Sequence, residues 1–240
     1  MKRRVIITLI ACFSLQSRLV AQKLPRIDYL VNLETKYGKM KLILFYETPL
    51  HRANFMKLAK DGFYDSLTFH RVIKNFMIQG GDPFTHPNKN STAKDFNGAT
   101  RIPAEFVPEL FHKKGALAAA RDSNPQKASS PSQFYIVQGK QWSEVELQSQ
   151  LKRSGRQATD HQISTYKTLG GTPHLDGNYT VFGEVVTGLA ILDSVAAQIT
   201  GPGDRPKQDI YMKVSLEKVK MRKLNKKYGY KYPIITKKNQ

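Results

Sequence analysis

The sequence predicts an all-β protein, a sandwich or a closed barrel, carrying a few helices. Three observations lead there. Short runs rich in β-branched and aromatic residues recur along the chain. Glycine, proline, asparagine and aspartate clusters punctuate them, and the helical patterns between them are few and short. No internal repeat organises the runs.

The elements follow in order. Ile27–Leu33 and Lys39–Phe45 are strand-like and are separated by a turn around Lys36–Gly38. Glu47-Thr48-Pro49 then starts a helix: the Thr48 hydroxyl suits the cap, and Pro49 suits the first turn, where its missing N–H costs nothing. Ala53, Phe55, Met56, Leu58 and Ala59 supply its apolar positions, and Lys60-Asp61-Gly62 ends it. Short strands are expected at Thr68–Ile73, Met77–Gln79, Gly115–Ala120, Phe134–Gln138 and Thr180–Val186. A second short helix covers Gly188–Ala197, and a last strand runs through Ile210–Lys220.

Two segments stand apart. Residues 84–101 are polar with few apolar anchors and read as a long loop. Residues 140–173 read as a helical insertion: Ser143 and Glu146 have capping-box spacing, helix-favouring residues continue to Arg153, and Trp142 can pack as a staple. The insertion ends just before His174-Leu175, so it either borders whatever site lies there or packs as a peripheral decoration.

The chain has 240 residues, 40% apolar and 10% aromatic content, and a net charge of +19. From Lys218 to the end there are nine Lys/Arg and no Asp or Glu, so the excess is concentrated in the tail. Met1-Lys2-Arg3-Arg4, the apolar run Val5–Leu15 and Leu19-Val20-Ala21 match a secretory signal peptide over residues 1–21, cut after Ala21. The apolar run is too short for a permanent span of about 20 residues. These features predict an exported protein of the periplasm or cell envelope. Cys12, the single cysteine, lies in Leu9-Ile10-Ala11-Cys12, which resembles a lipobox; the ordinary signal is favoured because the apolar run before Cys12 is short and continues past it. Cleavage after Ala21 would leave no cysteine, excluding disulfides, thiol catalysis and cysteine-based metal sites.

Residues 69–82 read FHRVIKNFMIQGGD. An arginine, two large apolar side chains, an amide and two glycines exceed what a plain core strand needs. A second stretch, GALAAARDSNPQKASSPSQFYIV from Gly115, and a third, HLDGNYTVFGE from His174, follow in order. Together the three resemble the signatures of the cyclophilins, the peptidyl-prolyl cis/trans isomerases, over roughly Leu30 to Met221. The resemblance implies a closed antiparallel barrel of about eight strands with two capping helices, here carrying the helical insertion. It implies an isomerase domain over 27–222, followed by a basic tail, 223–240.

The implied chemistry asks for little. An Xaa-Pro amide rotates against a barrier of about 18–20 kcal/mol because rotation breaks amide resonance. At the twisted midpoint the nitrogen lone pair is localised and basic, so a fixed donor aimed at it stabilises that state most. Arg71 suits this role, since its guanidinium is permanently charged and rigid. Phe76 and Met77 wall the proline pocket, Gln79 bonds the substrate backbone, and Gly80-Gly81 permits a tight turn. His70 alternates with Arg71 and so faces away, which assigns it to structure. By the resemblance, Ala120 and Arg121 border the groove, Gln133 bonds substrate, Tyr135 and Leu175 complete the pocket, and Tyr179 stands where many eukaryotic members carry histidine. Many members carry Phe where Tyr135 stands, so its added hydroxyl must find a partner or water. His174 stands where cyclosporin-sensitive members carry tryptophan, which predicts weak cyclosporin binding.

No metal or cofactor is called for, and His51, His86, His112 and His161 show no metal-ligand spacing. Asn90-Ser91-Thr92 and Asn178-Tyr179-Thr180 match glycosylation sequons, which are frequent by chance. The expected partners are proline-containing polypeptides, and the chain is expected to be a monomer. Lysines interleaved with Tyr228, Tyr230 and Tyr232 suit an anionic envelope surface, although a solvated terminus is the commoner outcome of such a tail. The rival readings are a peptide-binding scaffold without catalysis and a nucleic-acid binder; the intact Arg71–Phe76–Met77–Gln79 set argues against the first and the signal pattern against the second.

Overall fold

A computed structural model describes residues 27–88 and 100–231. The signal pattern with Cys12, the Asn90 sequon, most of the 84–101 segment and Tyr232 lie outside them. Eight strands appear where the sequence expects them: β1 (Ile27–Thr35), β2 (Gly38–Leu44), β3 (Arg71–Ile73), β4 (Met77–Gly80), β5 (Ala116–Ala119), β6 (Phe134–Val137), β7 (Val181–Thr187) and β8 (Lys213–Lys220). All the ladders are antiparallel, in the order β3-β4-β6-β5-β7-β2-β1-β8. No ladder joins β3 to β8 among the described residues. The segments leading into those two strands do meet: Phe69 N–H donates to the Ile210 carbonyl at 3.0 Å, and Met212 N–H to the Leu67 carbonyl at 2.8 Å.

Helices α1 (Pro49–Lys60) and α4 (Leu189–Ala196) are the two expected against the sheet, and α2 (Glu144–Ser154) is the helix expected in the insertion. With α3 (Asp160–Thr168) and α5 (Met221–Tyr228) added, the described residues have mixed α/β content rather than an all-β one. The terminus is also not simply solvated. Leu224 and Tyr230 are buried, and Tyr230 stacks on Phe45 with ring centroids 5.9 Å apart. Among the described residues no helix is long and apolar enough to cross a membrane.

Pairing register divides the core. Val72, Ile78, Leu117, Ala119, Phe134 and Ile136 face one side of the sheet, against Phe55 and Leu58 of α1 and Leu192 and Val195 of α4. Met77, Ala118, Ala120, Tyr135 and Val137 face the other, because side chains alternate along each strand. A separate cluster of Phe111, Leu147, Leu151 and Tyr166, with Trp142 against it, is the core of the insertion.

One cap differs from the sequence expectation. Thr48 makes no side-chain cap bond to α1. It is buried, and its hydroxyl donates to the Phe45 carbonyl at 3.4 Å. Glu105, distant in sequence, takes the helix's free amides instead: Leu50 and His51 N–H each donate to its carboxylate at 3.0 Å.

Candidate active site

Cross-strand pairing lines up the site. Arg71 on β3 pairs with Gln79 on β4, Gln79 with Tyr135 on β6, and Tyr135 with Ala118 on β5. Directly paired residues share a face, so these four form a row across the sheet. Met77, two residues from Gln79 on β4, and Gln133, two residues before Tyr135 at the entry to β6, join the same face. Gly81 closes the motif with φ +83°, and a Cβ there would overlap the Ser132 carbonyl, so glycine is required.

Three of the row, Arg71, Gln79 and Tyr135, line a cleft of about 230 Å³ together with Phe76, Met77, Ala120, Arg121, Leu175 and Tyr179. Gln133, the remaining expected residue, is not among the lining groups; its Oε1 accepts from Gln79 Nε2 at 3.1 Å and so orients that amide. His70 lies outside the cleft, and burial lowers its pKa.

At one end Arg71 Nε donates to Asp204 at 3.3 Å, with both side chains nearly half exposed. Among the described residues only Nε of the fork has a hydrogen-bond partner, which leaves the donors of the two terminal nitrogens to a ligand. Phe76 stacks on His174, centroids 5.6 Å apart and planes 22° from parallel. Tyr135 meets Tyr179 edge-on at 5.9 Å. The Arg121 guanidinium lies 4.7 Å from the Tyr179 ring centre, while its Nε donates to the Asn178 carbonyl at 2.9 Å. The cleft therefore joins an apolar pocket to fixed donors, and none of the described residues lining it is a poised nucleophile. The Tyr135 hydroxyl has its partner, His112 Nε2 at 2.9 Å. Burial raises the pKa of this phenol, so it stays protonated.

Four residues had no role assigned from the sequence: Asp204 and His112, which bond Arg71 and Tyr135, Asp176, which bonds His112, and Glu105, which caps α1. No spacing signal marks them, because each meets its partner only through the fold. The one hint was the Tyr135 hydroxyl, which demanded a buried partner.

Residues 30–216 match the family described as cyclophilin type peptidyl-prolyl cis-trans isomerase/CLD. A Streptococcus pyogenes serotype M6 protein, named as a bifunctional phosphatase/peptidyl-prolyl cis-trans isomerase, is 39% identical over 183 residues, 75% of this chain. The match spans only 37% of that relative's length. A Staphylococcus aureus (strain USA300) protein, named as a peptidyl-prolyl cis-trans isomerase, is 38% identical over 185 residues, covering 75% of this chain and 87% of its own. Among solved structures, a Cryptosporidium parvum cyclophilin-type isomerase crystallised in the presence of the dipeptide Ala-Pro superposes with a TM-score of 0.57 at 24% identity. It covers 78% of this chain and 98% of that one, which is a likeness of fold. The chain belongs to the cyclophilin-type peptidyl-prolyl cis-trans isomerase family. It is an enzyme of that class, and cyclophilins act on proline-containing peptides.

Proposed function

We propose that this isomerase rotates Xaa-Pro bonds in exported polypeptides, with the proline ring seated among Phe76, Met77, Tyr135 and Leu175. Arg71 donates to the amide nitrogen as it pyramidalises, and Gln79, oriented by Gln133, holds the flanking backbone. Ala120, Arg121 and Tyr179 border the adjoining groove. The observation that carries this reading is the row Arg71–Gln79–Tyr135, which sets donor, amide and ring side by side along one cleft. Catalysis follows from preorganisation: the donor is fixed before the bond twists, so little reorganisation is spent at the midpoint. Uncatalysed, the step takes about 10–100 s at 25 °C and can limit folding.

The test is turnover of a prolyl tetrapeptide by wild type and Arg71→Ala. The expected loss in kcat/KM is on the order of a hundredfold, with an unchanged melting curve. Wild-type turnover in the variant would remove Arg71 from this role, and an inactive wild type would favour the scaffold reading.

Export is supported by the charged start, apolar run and Ala21 of residues 1–21. N-terminal sequencing of the protein recovered from cells checks it; a chain still starting at Met1 would oppose export. The closed-barrel reading is supported by the paired amides of Phe69 and Met212 between the β3 and β8 approaches.

A further inference from the structure

The insertion and the cleft share a buried polar chain. Tyr166, on α3, is fully buried, and its hydroxyl donates to Asp176 Oδ2 at 2.6 Å. Arg156, in the link between α2 and α3, pairs with the same oxygen at 3.1 Å. Asp176 Oδ1 contacts His112 twice, accepting from its main-chain N–H at 2.8 Å and lying 2.7 Å from Nδ1. His112 Nε2 then reaches the Tyr135 hydroxyl at 2.9 Å, with the two rings only 13° from parallel.

Chemistry fixes the direction of each bond. A carboxylate beside Arg156 can only accept, so Nδ1 of His112 donates to it. The neutral ring then presents Nε2 as an acceptor, and the Tyr135 O–H donates into it. Burial, with Arg156 nearby, holds the His112 imidazole down to about 3, consistent with a neutral ring. Removing such a chain from water is unfavourable unless its members are satisfied; the side chains of Tyr166, Asp176, His112 and Tyr135 are joined by hydrogen bonds, while Arg156 Nη1 adds only the ion pair to Asp176.

The insertion is also seated on this chain by its backbone. It leaves beside Lys140 and returns at Gly171, which bridges both Lys140 and Lys113. Trp142 Nε1 donates to the Gly171 carbonyl at 2.9 Å, and Thr172 N–H to the His112 carbonyl at 2.8 Å. Gly171 has φ +154°, and a Cβ there would overlap the His112 carbonyl. The returning segment Gly171-Thr172 therefore lies directly on the residue that holds Tyr135.

Packing alone would be served by a phenylalanine ring at 135. The hydroxyl adds orientation: it ties the pocket wall to the insertion. We infer that the helical insertion shapes the proline pocket through Tyr166, Arg156, Asp176 and His112, with His112 as the positioning residue for Tyr135. This deepens the isomerase reading and rests on it. Holding the ring in place before binding lowers the ordering cost when proline enters, so the effect belongs in KM rather than kcat.

The experiment is steady-state kinetics on a prolyl tetrapeptide with Tyr166→Phe, Tyr135→Phe and the double variant. Tyr166→Phe keeps the ring and deletes only the hydroxyl. It is expected to raise KM roughly threefold to tenfold with kcat unchanged. The rise should vanish in the Tyr135→Phe background, because the path ends at that hydroxyl. Arg156→Gln, on the partly exposed arm, repeats the test if Tyr166→Phe lowers the folded yield. Unchanged KM in both single variants overturns the inference, and so does an equal rise with and without the Tyr135 hydroxyl. An active wild type with silent variants sinks only the coupling; an inactive wild type sinks the isomerase reading beneath it.

Discussion

Tyr135 carries a hydroxyl into the wall of an apolar pocket, and His112 meets it from the far side. The arrangement has a consequence for stability. His112 ordinarily titrates near 6.5 and is held down to about 3 in the fold. Between those values the unfolded chain binds the proton and the folded chain does not. Stability from this group is therefore intact above pH 6.5 and falls as pH drops toward 3, by about 1.4 kcal/mol per unit. Urea midpoints measured between pH 7 and 4.5 should decline more steeply in wild type than in His112→Asn; equal slopes would show that His112 does not carry the effect. His174 backs another lining residue, Phe76. Half buried and stacked on Phe76, it is lowered in pKa first by burial and then by His112, and it offers a smaller surface than tryptophan. Cyclosporin A should bind weakly, and His174→Trp should tighten it; a nanomolar inhibition constant for wild type contradicts this.

At the scale of elements, α1 shows tertiary structure replacing a local signal. The Glu105 carboxylate accepts from the Leu50 and His51 amides and lies 2.7 Å from His51 Nδ1, while His51 Nε2 reaches Ser129 Oγ at 2.9 Å. Burial pushes the Glu105 carboxyl up, but the His51 ring and the helix amides outweigh it and hold it below the usual range. Glu105→Ala should therefore cost about 2 kcal/mol by thermal melting, and Thr48→Ala clearly less. The reverse order would return the cap to Thr48. The insertion helices obey local rules: Ser143 with Glu146, and Thr159 with Gln162, both form complete capping boxes. The second box has the same spacing as the first, so α3, which begins beyond the helix expected up to Arg153, carries an equally local signal.

For the whole molecule the question is the seam between β3 and β8. The ladder order has two ends, yet the chain entering β3 bonds the chain entering β8 through the Phe69 and Met212 amides. If those bonds close the barrel, both amides should exchange with solvent as slowly as those of the central strands. Fast exchange at Phe69 and Met212 would mean an open sheet. The same scale accounts for the terminus. Seven Lys and Arg between Lys218 and Lys231 are exposed, while Leu224 and Tyr230 pack into the core face that also holds Val219 and Phe45. Charge placed this segment at the surface, and two apolar side chains docked it.

The sequence by itself determined the eight strands, the two flanking helices and the Arg71–Gln79 motif, because strand alternation, turn residues and capping patterns are local and act within a few positions. It also marked the other cleft residues through motifs that resemble a known family. Only the tertiary structure decided that Glu105 caps α1, that Asp204 faces Arg71, that Gln133 orients Gln79 from outside the cleft, and that His112 and Asp176 tie the insertion to Tyr135. Each of these is a polar contact between residues far apart in the chain. Such contacts carry no period or spacing, and they exist only once burial brings the groups together and leaves each no other partner.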